Sequence, residues 1–189
     1  CRYPVDYSRG LFALTPSIGK IRQGARNFQY EAAVRLDNHR PELAVESILD
    51  SFALSRSLQN DPALISQLVR IACEHLTILS VGRAIHQSSL TDRQLAQLSD
   101  ALSEADSGRM TTAFIGERCL YGDELIRGDP THFSGTEPPG FMSRPVFFLY
   151  KAAGLLDLDT LHFLNLMDQV IKVSRIPQTA ERFAQAKLL

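Results

Sequence analysis

The sequence predicts an all-α protein: antiparallel helical hairpins packed as an irregular α-solenoid or an orthogonal bundle, with seven or eight helices. Three observations predict it. Apolar residues recur at helical spacing through most of the chain. The breaks between these segments carry helix-start and helix-stop residues, such as Thr15-Pro16, Asn60-Asp61-Pro62 and Gly154. Runs of β-branched residues are few and Trp is absent. At 189 residues the chain is long enough for a real core, so 1–189 is read as a single helical domain.

Residues 1–14 read as irregular or only briefly helical. Thr15 then caps Pro16, and a helix runs to about Leu36 with Ile18, Ile21, Ala25, Phe28, Ala32 and Leu36 on one face. Gly19 and Gly24 each weaken it by about 1 kcal/mol relative to Ala, so they mark candidate close approaches. Every charge from Arg9 to Tyr30 is positive, through Lys20, Arg22 and Arg26. Without interleaved aromatics that strip reads as a solvated face rather than a phosphate or headgroup site.

The segment 41–87 is the central hairpin. Its first arm opens on Pro41 and buries Ala44, Val45, Ile48, Leu49, Phe52, Ala53 and Leu58, while Glu42, Glu46 and Asp50 line the solvent side. Asn60 or Asp61 caps the second arm, and Pro62 sits in its first turn. Leu64, Ile65, Leu68, Val69, Ile71, Ala72, Leu76, Ile78, Leu79 and Val81 cover most of that arm's circumference, so it is expected to be central. Its rare polar residues Gln67, Arg70 and Glu74 share one stripe, and Arg70 and Glu74 can pair across a turn. The plain reading is a solvated side. The sharper one is a stripe that lines a groove or binds neighbouring backbone. On that reading Arg70 is buried or half-buried and paired with a carboxylate, because an unpaired buried Arg is too costly.

Thr91 and Gln94 form a capping box for a helix to about Asp106, with Leu95, Leu98, Ala101, Leu102 and Ala105 inward. Ser107-Gly108 ends it, and the next helix spans about 109–126. Residues 122–145 are rich in Gly and Pro, and 128–145 reads as a long loop: a lid, a partner strap or a mobile insert. A short helix at 146–153 ends at Gly154. Asp157 or Asp159 caps a helix to about Ser174, with Leu161, Leu164, Met167, Val170 and Ile171 inward, and Pro177 opens a last helix at 178–187.

A net charge of −1 offers no global field for nucleic acid, which is not an expected partner. Cys1, Cys73 and Cys119 cannot all pair within the chain; Cys73, in the most apolar helix, reads as an inert buried thiol, and a Cys73–Cys119 bridge stays open. No membrane span is expected in this segment; 146–166 comes nearest but carries Lys151, Asp157, Asp159 and His162. A start at Cys1 without Met reads as a domain excised from a longer chain.

The hairpins loosely resemble tetratricopeptide units, yet the helices start at unequal intervals and the Trp/Leu/Gly signature is missing. Three stretches carry a closer resemblance: Cys-Arg-Tyr-Pro-Val-Asp-Tyr at 1–7, Ala-Leu-Ile-Ser-Gln-Leu-Val-Arg-Ile-Ala-Cys-Glu at 63–74 and Gly-Glu-Arg at 116–118. They resemble an uncharacterised all-helical family of planctomycete- and verrucomicrobia-type bacteria, across most of 1–127. The resemblance implies an extracytoplasmic domain of a membrane-attached parent, and implies no activity, cofactor or catalytic residue.

Chemistry leaves few marks. The five histidines, among them His75 and His86, form no recognised ligand spacing with one another or with cysteine, so neither metal nor cofactor is expected. No nucleophile motif occurs, and Cys119 reads as a structural thiol. Glu117, Asp123 and Glu124 near Arg118 are the one candidate carboxylate cluster. Two functions follow. The first is an interaction scaffold that presents a groove to a protein or peptide partner. The alternative is a hydrolase-like enzyme whose polar site, Gln67, Arg70, Glu74, Glu117 and Arg118, lies under the 128–145 loop.

Overall fold

The computed structural model describes residues 5–6, 17–106, 110–127, 149 and 151–176. Among these there are six α-helices and no strand: α1 Ser17–Asp37, α2 Pro41–Arg56, α3 Leu64–Gln87, α4 Asp92–Asp106, α5 Thr111–Arg127 and α6 Leu155–Ser174. The all-α expectation holds; the count of seven or eight does not hold among the described residues. The expected last helix at 178–187 and the 128–145 loop lie outside them, as does most of the short helix at 146–153.

The described residues fall into two compact units, one holding α1–α4 and the other α5 and α6. In the first, α1, α2 and α3 each pack against the other two, and α4 lies against α2 with a lighter contact to α3. Consecutive helices run antiparallel. Near one end of α1, a Cβ added to Gly24 would stand 2.9 Å from a Leu54 methyl, so α1 and α2 approach closely there and a larger residue would require that methyl to shift. Near the other end, Arg35 donates to the Leu43 carbonyl at 2.6 Å and to Ser47 Oγ at 2.7 Å, while pairing with Glu31. Gly19 has open space around it and marks no such approach.

The main apolar cluster joins Ala32 and Leu36 of α1, Val45, Ile48 and Phe52 of α2, Val81 and Ala84 of α3, and Leu98 and Ala101 of α4. A second cluster joins Ile21, Ala25, Leu58 and Cys73. The acids Glu42, Glu46 and Asp50 lie exposed, as their spacing predicts. Three inward assignments need correction. Ala53 of α2, Leu95 of α4 and Leu161 of α6 are exposed, because the buried arcs of those helices centre on Ile48–Ser51–Phe52–Ser55, on Leu98–Ala101 and on Leu156–Thr160–Ile171.

The helix ends follow local chemistry, with two corrections. The Thr91 capping box forms reciprocally: Gln94 Oε1 accepts the Thr91 N–H at 2.8 Å, and Thr91 Oγ1 accepts the Gln94 N–H at 3.3 Å. Neither Asn60 nor Asp61 caps α3. Ala63 is its extended N-cap residue, leaving Pro62 outside the helix, and Asp61 accepts the Ala63 N–H at 3.0 Å in a turn that precedes it. Similarly, α6 starts a turn before any Asp cap, because Gly154 at φ +71 swings the chain directly into it. Asp157 falls within its first turn, where the helix dipole favours an acid.

In the second unit α5 and α6 form an antiparallel hairpin. Thr111 and Ser174 share a hydroxyl hydrogen bond of 2.9 Å, Arg118 Nε stands 3.0 Å from Asp168 Oδ1, and the rings of Tyr121 and Phe163 lie 5.8 Å apart. Ala113, Gly116 and Gly122 are buried, and Gly122 lies close to the Leu164 side chain of α6.

Candidate functional site

The unusual helix is α3. Its inward side carries Ser66, Gln67, Arg70, Cys73, Glu74, Thr77 and Ser80, all buried. Its outward side carries Ile65, Leu68, Ile71, Ile78, Leu79 and Ile85, each between 43% and 53% exposed. Polarity is thus reversed relative to an ordinary amphipathic helix.

The facing side of α2 explains the inner stripe. Ser47, Ser51 and Ser55 recur every fourth residue and are all buried, alongside Ala44 and Ile48. Small side chains let the two helices approach, but each hydroxyl then needs a partner. Ser51 and Thr77 supply each other at 2.7 Å, Thr77 also reaches the Cys73 carbonyl at 2.9 Å, and Ser55 turns back to the Phe52 carbonyl at 2.8 Å. Ser66 Oγ is buried without a hydrogen-bond partner.

Gln67, Arg70 and Glu74 form a continuous chain of hydrogen bonds. Gln67 Nε2 faces three carbonyl oxygens of the α2–α3 connection: Leu58 at 2.7 Å, Asp61 at 2.8 Å and Gln59 at 3.3 Å. Its Oε1 accepts from Arg70 Nε at 2.8 Å, and Arg70 Nη1 donates to Glu74 Oε1 at 2.7 Å. Arg70 is 3% exposed and Glu74 8%. The sharper of the two readings of this stripe therefore describes it: the residues bind neighbouring backbone and one another, and the solvated-side reading is set aside.

Burial pushes the Glu74 carboxyl above its ordinary value, and the Arg70 charge and hydrogen bond oppose that shift without cancelling it. Burial likewise raises the Cys73 thiol, against the Arg22 charge from α1. Cys73 and Cys119 are both free thiols, the first buried and the second exposed.

Of the five candidate residues, Gln67, Arg70 and Glu74 come together in the first unit. Glu117 and Arg118 lie half-buried on α5 in the second, where Arg118 pairs with Asp168. Among the described residues no three of His, Cys, Asp and Glu gather as metal ligands would. One depression in the first unit, of about 40 Å³, is lined by Gln29, Ala33 and Leu36 of α1 and Leu79, Ser80 and Arg83 of α3. Small-molecule sites occupy roughly 300–1,000 Å³.

By length and composition, α3 is also the one described helix that could cross a membrane. A mostly buried core helix meets the same criterion; in α3 44% of the apolar window is buried, and its packed side is the polar one. The outward apolar face is the feature that sequence reasoning missed. Its signal was present: Ser66, Arg70, Cys73, Thr77, Ser80 and Ala84 share one helical phase and match the small-residue phase of α2. No protein-family model, curated protein or solved structure matches the chain.

Proposed function

We propose that the chain is a helical interaction domain that takes a protein or peptide partner on the outward face of α3. The observation that carries this reading is the reversed polarity of that helix. Six large aliphatic side chains stand about half exposed along one helix face, 24 residues and so about 36 Å long. Single exposed apolar residues are ordinary, whereas a contiguous row of them marks an interaction surface. The polar residues that would otherwise suggest catalysis are engaged within the fold: Gln67 with turn carbonyls, Arg70 with Gln67 and Glu74. The repeat-like hairpin packing fits a solenoid or bundle scaffold, and the resemblance of 1–127 supports an extracytoplasmic domain of a membrane-attached parent.

A photo-crosslinking residue placed at Leu68 tests this reading, with one at Asp50 on the exposed side of α2 as the control. The expected result is an identified protein captured from Leu68 and not from Asp50, with capture abolished by Leu79→Gln. Equal capture from both positions, or none from Leu68, overturns it.

A further inference from the structure

Charge is divided unevenly around the first unit. Helices α1 and α3 together carry six basic and three acidic residues, whereas α2 and α4 carry two basic and seven acidic. Three of the acids are already matched by neighbours: Glu31 by Arg35, Glu74 by Arg70 and Glu104 by Arg56. What stands out on the α1 side is the exposed set Lys20, Arg22 and Arg26, with Arg83 exposed on α3 itself.

Their position matters. Gln29 and Ala33 of α1 share a depression with Leu79 and Arg83 of α3, so that stripe of α1 borders the outward face. Arg22 and Arg26 continue the same stripe toward the start of α1, seven and three residues before Gln29. The Arg22 charge also reaches Cys73 of α3. The apolar row therefore has a basic border along α1, while the acids Glu42, Glu46 and Asp50 sit on α2.

The shape of the surface narrows the occupant. No sheet edge exists among the described residues, so strand addition is not offered. A straight row of side chains at helical spacing, beside a shallow seam with a parallel neighbour, suits the ridge of another helix. The row contains no aromatic residue, and the chain has no Trp, so the usual anchors of a membrane-interface helix are missing from this face. A second copy presenting this same face would bring the same positive border and gain no charge complementarity.

Resting on the reading of α3 as a docking face, we infer that its partner segment is an amphipathic helix with an apolar stripe flanked by Asp or Glu, which face Arg22, Arg26 and Arg83. The test uses the full chain and two synthetic helical peptides with the same Leu/Ile stripe, one flanked by Glu and one by Lys. Binding is read by fluorescence anisotropy. Anionic and zwitterionic vesicles serve as separate probes. The acidic peptide is expected to bind, and to weaken about tenfold or more in Arg22→Glu/Arg26→Glu and at about 0.5 M salt. The lysine peptide is expected to bind far more weakly. Both substituted arginines are exposed, and an unchanged circular dichroism spectrum and Tm certify the variant. Equal binding of the two peptides overturns the acidic-partner inference and leaves the docking face standing. Binding of anionic vesicles but neither peptide replaces the helix with a lipid surface. Binding of nothing overturns both the inference and the docking face beneath it.

Discussion

Helices α2 and α3 belong to one hairpin and solve the same problem in opposite ways. On α2 the acids Glu42, Glu46 and Asp50 face water, and Val45, Ile48 and Phe52 are buried. On α3 isoleucines and leucines face water, and a hydrogen-bonded polar row is buried. The first arrangement gains free energy from apolar burial, at about 25 cal/mol per Å². The second contributes Cys73, Val81 and Ala84 to the apolar clusters and otherwise depends on polar groups being matched, as all but Ser66 Oγ are. The contrast also locates fragility: α2 tolerates changes on its outer side, whereas the inner side of α3 tolerates few.

The largest effect on α3 should come from breaking the ion pair. Arg70→Ala leaves the Glu74 carboxylate buried without its partner and Gln67 Oε1 without its donor. A loss of about 3 kcal/mol or more is expected in urea unfolding. The double replacement Arg70→Met/Glu74→Leu should recover most of it, since an apolar pair of similar volume removes both charges. If Arg70→Ala unfolds at the same midpoint as the parent, the inner row of α3 is not what holds the hairpin.

Next comes Gln67→Ala, which withdraws one side chain from three carbonyls at the α2–α3 connection. A loss of about 2 kcal/mol is expected, because the buried Leu58 oxygen and the part-buried Gln59 and Asp61 oxygens lose their donor. Gln67→Glu should cost more, since a carboxylate would face the same oxygens. Hydrogen exchange at residues 58–63 should accelerate in both variants. Protection unchanged there would mean that the turn is held by its own backbone.

These two cases show what could be read from the sequence. The helices, their breaks, the Thr91–Gln94 capping box and the Arg70–Glu74 pairing are all local, so spacing within a few residues reveals them. The direction α3 faces is not local. A helix with apolar residues almost all round has little phase of its own. Its phase shows in contacts with other segments, such as the bond between Thr77 and Ser51 of α2, 26 residues away in the chain. The partner of Arg118 was equally out of reach, because Asp168 lies 50 residues further along the chain. The five-residue polar site joined residues by chemical type, while the fold placed them in two units.

A smaller effect concerns pH. Glu74 titrates above its ordinary value of 4.5 in the folded protein, mainly because it is buried. The folded state therefore holds its proton more tightly than the unfolded chain does. The sign follows: ionised Glu74 costs stability at neutral pH, and that cost is relieved as pH falls through the raised folded value toward 4.5. Glu74→Gln removes the titration, so subtracting its stability profile from the parent's isolates the contribution. The difference, parent minus variant, should become more favourable as the solution is acidified through that window. A difference that moves the other way would mean that Arg70 outweighs burial.

The smallest expected change in stability is the most discriminating for function. Leu68→Gln and Leu79→Gln alter side chains of which about half is already in water. They touch the outer face, not the hydrogen-bonded row, so each should shift unfolding by no more than about 0.5 kcal/mol. By contrast, Phe52→Ala, on the inner face of α2 and fully buried, should cost about 4 kcal/mol. The same two outer substitutions should abolish partner capture and lower the tendency to associate at high concentration. Stability and binding then separate cleanly on one helix, the inner face governing the first and the outer face the second. Should Leu68→Gln instead destabilise as Phe52→Ala does, the outer face is covered in solution by part of the chain itself, and the reversed polarity of α3 serves the fold rather than a partner.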